Sequence, residues 1–215
     1  MRTILLFLGL QVITFHLCSQ SLLELYAMLP EQATSGTKSE REQMINNYKS
    51  GNNKRTDNSR LKFETVDNKN GYLKVDALDG RWEMCYWNLP DEKLVAVYQE
   101  ACGPSCYVEH FDFFKLTGGK LVLQNIDSII PGYSSLQKDF YKKNATDVEK
   151  ERKEKDVYVT VLFRIPTTGK DILAVLDIEE NINNKPMSAF SKGNRMVLKW
   201  SNGKFAKDKI FTVKN

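Results

Sequence analysis

The chain has 215 residues, 41% of them hydrophobic and 27% charged, and a formal net charge of +4. That length can bury a core in one domain without metals or a dense disulfide framework. The lysines are interleaved with acids throughout, so the mild basic excess excludes a nucleic-acid footprint.

Residues 1–20 read as a secretory signal peptide. Arg2 supplies the positive start, Ile4 to Phe15 the apolar core, and His16 to Ser21 the polar stretch before a cut near Gln20. The apolar core, about 12 residues, is shorter than the roughly 20 a membrane-spanning helix needs. Cys18 is a poor lipoprotein acylation site, because Phe15, His16 and Leu17 lack the small residue such a site carries. The expectation is an exported protein, placed in the periplasm, on the outer surface or in the medium. No transmembrane segment is expected after cleavage.

Residues 21–215 are expected to form one β-rich domain, opening on a helical segment over 21–60. Leu22, Leu25, Tyr26 and Leu29 share one helical face, and Pro30 ends it. A second helix is expected from Ser39, with Glu42 completing a capping box, Met44, Ile45 and Tyr48 as its apolar stripe, and Gly51 as its stop. From Leu61 the pattern changes to short apolar runs separated by Gly, Pro, Asn and Asp, the mark of hairpins. A first β-meander is expected over 61–131, with strands at 61–66, 72–78, 82–89, 94–101, 106–116 and 121–123. A charged linker is expected over 132–156, with its Lys-, Glu- and Asp-dense part, 138–156, the most mobile of the chain. A second meander follows over 157–215, with strands at 157–165, 172–178, 195–200 and 210–213. The fold class is therefore α+β and β-dominated: two short N-terminal helices followed by antiparallel β-meanders, with two similar halves as an open reading. Glu83 to Pro90 and Leu94 to Val97 parallel Val159 to Pro166 and Ile172 to Val175, and the Phe114–Lys120 hairpin parallels Leu198–Lys204.

Three cysteines follow the leader: Cys85, Cys102 and Cys106. Cys102-Gly103-Pro104-Ser105-Cys106 is the conspicuous motif. Its two cysteines suit a disulfide facing across a three-residue hairpin loop, because cross-strand neighbours lie within disulfide reach. The competing reading is a redox dithiol, but that needs a stabilised thiolate, commonly at a helix N-terminus, and Tyr107 to Phe114 reads as a strand. His110 is the sole histidine after the leader, which excludes multi-histidine zinc sites. No metal and no cofactor is expected. Trp82, Trp87, Glu100, Glu109 and His110 are candidate ligand-facing residues. Glu100, Glu109 and Asp112 are the carboxylates a hydrolase would use.

The chain resembles a family of uncharacterised exported proteins from Bacteroidetes. The carriers are Asn70-Gly71-Tyr72-Leu73, Trp82-Glu83-Met84-Cys85-Tyr86-Trp87, Leu94-Val95-Ala96-Val97-Tyr98 and the Cys102–Cys106 motif, within residues 40–131. The resemblance implies export and a β-rich fold, and it brings no activity and no catalytic residue. The functional expectation is a non-catalytic binding or accessory module of the cell envelope, with an envelope protein or glycan as partner. A thiol-disulfide oxidoreductase using Cys102 and Cys106, and a carboxylate-dependent envelope hydrolase, are the alternatives.

Overall fold

The computed structural model describes residues 20–34, 36–54, 61–77, 80–103, 105–142, 159–178 and 191–213. The leader expected over 1–20 lies almost wholly outside them, as does most of the charged segment.

Two antiparallel meanders dominate. The first is six-stranded: β1 (Lys62–Asp67), β2 (Tyr72–Ala77), β3 (Gly80–Asn88), β4 (Lys93–Cys102), β5 (Cys106–Thr117) and β6 (Lys120–Gln124), paired in chain order. The second is four-stranded: β7 (Val159–Arg164), β8 (Ile172–Ile178), β9 (Arg195–Ser201) and β10 (Lys204–Phe211). Ahead of them lie α1 (Leu22–Met28) and α2 (Lys38–Lys49), and after β6 come the single turns α3 (Ile126–Ile129) and α4 (Leu136–Asp139).

The six-stranded sheet is the middle layer. Successive side chains on a strand point to opposite faces, and in β3 and β4 both sets are buried. Trp82, Met84, Val95 and Val97 pack with Leu22, Leu25, Tyr26 and Met44 of the helices. Cys85, Trp87, Leu94, Ala96 and Tyr98 pack with Phe163, Ile172, Ala174 and Leu198 of the four-stranded sheet. Two indoles tie the layers. Trp82 Nε1 donates to the Ala33 carbonyl on the helix side, at 3.1 Å. Trp87 Nε1 donates to the Lys170 carbonyl in the β7–β8 turn, at 2.9 Å.

Local chemistry corrects three expectations. The second helix is capped by Thr37 with Glu40, not by Ser39 with Glu42. Arg41, four residues after the Thr37 cap, is 1% exposed and donates to Leu29 O, Gly36 O and Thr34 Oγ1. The expected linker does not begin at 132: Leu136, Phe140 and Tyr141 are buried in the inter-sheet core. Its periodic charges hid that short apolar anchor. The last strand starts at Lys204, not Ile210, directly after a turn in which Asn202 and Gly203 both have positive φ, 46° and 87°. Such a turn closes a two-residue hairpin, and the lysines of β10 concealed a strand that buries Phe205.

Candidate functional site

The expected site residues divide between the two faces of the middle sheet. Trp82 lies on the helix side, 1% exposed beneath Tyr26, with ring centroids 5.3 Å apart. Trp87 lies on the other side, 3% exposed and stacked on Trp200 at 5.3 Å. Both indoles are core.

Cys102 and Cys106 are opposite each other across the β4–β5 tip, Cα–Cα 4.1 Å, and form a disulfide. The loop between them is closed by Gly103 N–H donating to Ser105 O at 3.1 Å. Cys106 opens a strand, so its sulfur does not sit at the first turn of a helix. Cys85 is free and buried, and burial pushes its thiol well above the ordinary range.

Below the staple the ladder shifts by one residue between Gln99 and Glu100. The bulge leaves Glu109 without a cross-strand partner in the ladder, and Gln99 Nε2 donates to its carboxylate. His110 lies across from Gln99. Its Nδ1 is 3.7 Å from Asp112 Oδ2, and both side chains are a little more than a third open to solvent. Burial raises the Asp112 carboxyl and His110 partly offsets it. Tyr107, beside the staple, is 47% exposed. The structure therefore gathers Tyr107, Gln99, Glu109, His110 and Asp112 along one stapled hairpin. A β-bulge next to a strand tip is a device that re-aims side chains.

Glu100 goes elsewhere. It is 7% exposed and accepts from Tyr98 Oη at 2.6 Å, Arg164 Nη1 at 3.0 Å and Arg81 Nη2 at 3.2 Å. Arg81 also donates to Phe163 O at 2.7 Å, and Phe163 N–H donates to Tyr98 Oη at 3.2 Å. Glu83 is 5% exposed, accepts from Tyr72 Oη at 2.8 Å and lies 3.5 Å from Arg81 Nε. Burial raises the Glu83 carboxyl against the pull of Arg81. This cluster of Tyr72, Arg81, Glu83, Tyr98, Glu100 and Arg164 joins the two sheets. Tyr72, Arg81, Glu83, Tyr98 and Arg164 were not among the expected site residues. The signal was there: Arg81 and Glu83 alternate with Trp82 and Met84 on a strand, and buried charges are paired.

Among the described residues, no group of three His, Cys, Asp or Glu is placed to hold a metal ion. No helix there is long and apolar enough to cross a membrane. A pocket lined by Glu40, Met44, Asn53 and Lys62 has about 10 Å³ of room, space for one water. No protein-family model, no curated protein and no solved structure matches the chain.

Proposed function

We propose that the chain is an exported cell-envelope protein that works without catalysis, as a binding or accessory module. Its stapled β4–β5 hairpin is the contact element, and an envelope protein or glycan is its partner. The observation that carries the reading is the Cys102–Cys106 bond at an exposed strand tip. Such bonds persist in oxidising compartments and are reduced in the cytoplasm. The leader-like residues 1–20 and the resemblance to exported Bacteroidetes proteins point the same way. Tyr107 offers the partner a large rigid side chain at low entropic cost, and Glu109, His110 and Asp112 flank it with polar groups.

We also read β7–β10 as the counterpart of β3–β6. Trp87 and Phe163, Leu89 and Ile165, Leu94 and Ile172, and Ala96 and Ala174 take matching inward positions. The second hairpins differ: Leu116 packs on the helix side, whereas Leu198 and Trp200 pack between the sheets. A one-residue slip has that consequence, since it reverses every side chain.

The test is fractionation of cells expressing the full chain, mass mapping without reduction, and capture of envelope material on wild type and Tyr107→Ala. Export, a Cys102–Cys106 peptide and capture lost in the variant are expected. A chain kept in the cytoplasm with residues 1–20 intact and all thiols reduced would overturn the proposal. Rapid reduction of insulin by dithiothreitol that disappears in Cys102→Ser would reassign the motif to thiol-disulfide exchange.

A further inference from the structure

A sheet edge is a row of unpaired N–H and C=O groups, and proteins guard such rows with bulges, charges or covering side chains. The two meanders have four edge strands, and three are guarded. Strand β1 carries a register shift between Phe63 and Thr65, a Lys74–Glu64 ion pair at 2.9 Å beside it, and Asn53 Nδ2 donating to Phe63 O at 2.8 Å. Strand β7 has its Phe163 N–H bonded to Tyr98 Oη and its Phe163 carbonyl bonded to Arg81. Strand β10 has a register shift between Lys207 and Ile210, and Lys207 is bound to Gly132 O and to Asp139 at 2.6 Å.

Strand β6 has neither a bulge nor a charge beyond its turn, and among the described residues its one covering group is the Gln124 side chain, whose Nε2 donates to Val122 O at 2.8 Å and to Leu123 O at 3.3 Å. Its ladder to β5 is regular, it holds no proline, and its one charge, Lys120, is at the turn. Val122 and Leu123 are 49% and 61% exposed. The β5–β6 turn is Gly118-Gly119, both at positive φ, so Thr117 and Lys120 form the hydrogen-bonded closing pair of a two-residue hairpin. Alternation along the ladder then turns the backbone groups of Lys120, Val122 and Gln124 toward β5 and those of Leu121 and Leu123 outward. Among the described residues, the outward groups meet only the Gln124 side chain, 3.3 Å from Leu123 O.

We propose that β6 is a homodimer interface, in which two copies of the chain pair antiparallel about a two-fold axis at Val122. The strand is self-complementary in that register. Leu121 of each copy meets Leu123 of the other, and their outward N–H and C=O groups exchange hydrogen bonds. Val122 meets its own counterpart as a non-hydrogen-bonded pair, and Lys120 meets Gln124. No like charges are opposed: Lys115, across from Val122 within each copy, is already paired with Glu92 at 2.7 Å. A two-fold contact uses the same edge of both copies, so assembly stops at the dimer. The contact is short, which places it in the weak, concentration-dependent class of interfaces.

The experiment is sedimentation of the purified chain across a concentration series, with cysteine trapping. A monomer–dimer equilibrium is expected for wild type. Val122→Cys should form a disulfide dimer on mild oxidation, because non-hydrogen-bonded neighbours have Cα atoms about 4.5 Å apart. Lys120→Cys should not, because its opposite number is Gln124. Leu123→Lys should shift the dimer constant at least tenfold toward monomer. Leu123→Pro should do the same at no cost in β5–β6 bonds, because it removes an outward N–H; thermal melting checks that each variant is folded. A wild-type monomer at every concentration, equal trapping at 120 and 122, or a dimer indifferent to both folded Leu123 variants would each overturn the proposal.

Discussion

The two faces of the six-stranded sheet bury charge in different ways. On the helix side the buried cation, Arg41, has only neutral oxygens as hydrogen-bond partners among the described residues: Leu29 O, Gly36 O and Thr34 Oγ1. On the sheet side Arg81 and Arg164 share Glu100, and Glu83 sits beside Arg81. What the two have in common is the backbone. Arg41 binds carbonyls of the turn between α1 and α2, which no ladder can reach. Arg81 binds the Phe163 carbonyl on the outer edge of β7. In both places a side chain supplies what regular secondary structure leaves unpaired, because a buried orphan carbonyl or N–H costs about 1–3 kcal/mol. The difference is the depth of the demand. A loop offers several carbonyls to one guanidinium. A sheet edge laid over another sheet offers a donor as well as an acceptor, and so needs Tyr98 and a carboxylate in addition.

Breaking the sheet-side cluster should have the largest effect. Glu100→Ala leaves Arg81, Arg164 and Tyr98 facing each other without their shared acceptor, and should cost about 4 kcal/mol. Urea unfolding measures it, and a loss near zero would mean the cluster is not an inter-sheet lock. Arg41→Met keeps the volume and removes every donor to the α1–α2 turn. It should cost about 3 kcal/mol in the same titration, with the melting of the helical layer as its signature in circular dichroism.

The stapled tip lies at the margin of both faces, so replacing Cys102 and Cys106 together by serine should cost about 2 kcal/mol or less. The closed loop is very short, and chain-entropy stabilisation grows with loop length. The double variant should fold with the same spectrum, and a global loss of structure would contradict this.

The smallest effect sharpens the comparison by pH. Burial raises the Glu83 carboxyl above its unfolded value, with Arg81, Tyr72, Lys74 and Arg164 opposing. An acid raised on folding binds its proton more tightly in the native state. Its contribution to stability is present below the ordinary glutamate range and is lost as pH rises through the raised value. Glu83→Gln should therefore remove a downward slope in stability between acid and neutral pH, and stability curves of the two proteins should diverge as pH rises. Parallel curves would show that folding leaves the Glu83 carboxyl unshifted.

Most of the strand pattern was legible in the sequence because each run is bounded by turn chemistry: Asn70-Gly71, Pro90-Asp91, Gly118-Gly119 and Asn202-Gly203 all close hairpins. The Cys102–Cys106 pairing was legible for the same reason, since chain reversal alone brings the two sulfurs together. The second helix could not be placed to the residue. Thr37-Glu40 and Ser39-Glu42 both spell a capping box, and their spacing alone does not choose between them. Of the candidate site residues, Glu109 and His110 share the hairpin, while Glu100 and the two tryptophans are taken up by packing between layers.

Periodicity, turn residues and local cysteine spacing determined the β-dominated class, the hairpins and the staple, because all three are interactions between near neighbours in the chain. Only the tertiary structure decided that the six-stranded sheet is covered on both faces, that Arg81 meets Phe163 and Glu100 meets Arg164, each more than sixty residues away, and that β6 is the least guarded edge among the described residues. Those outcomes depend on which layers stack and which backbone groups remain without partners afterwards. No local pattern of residues records that.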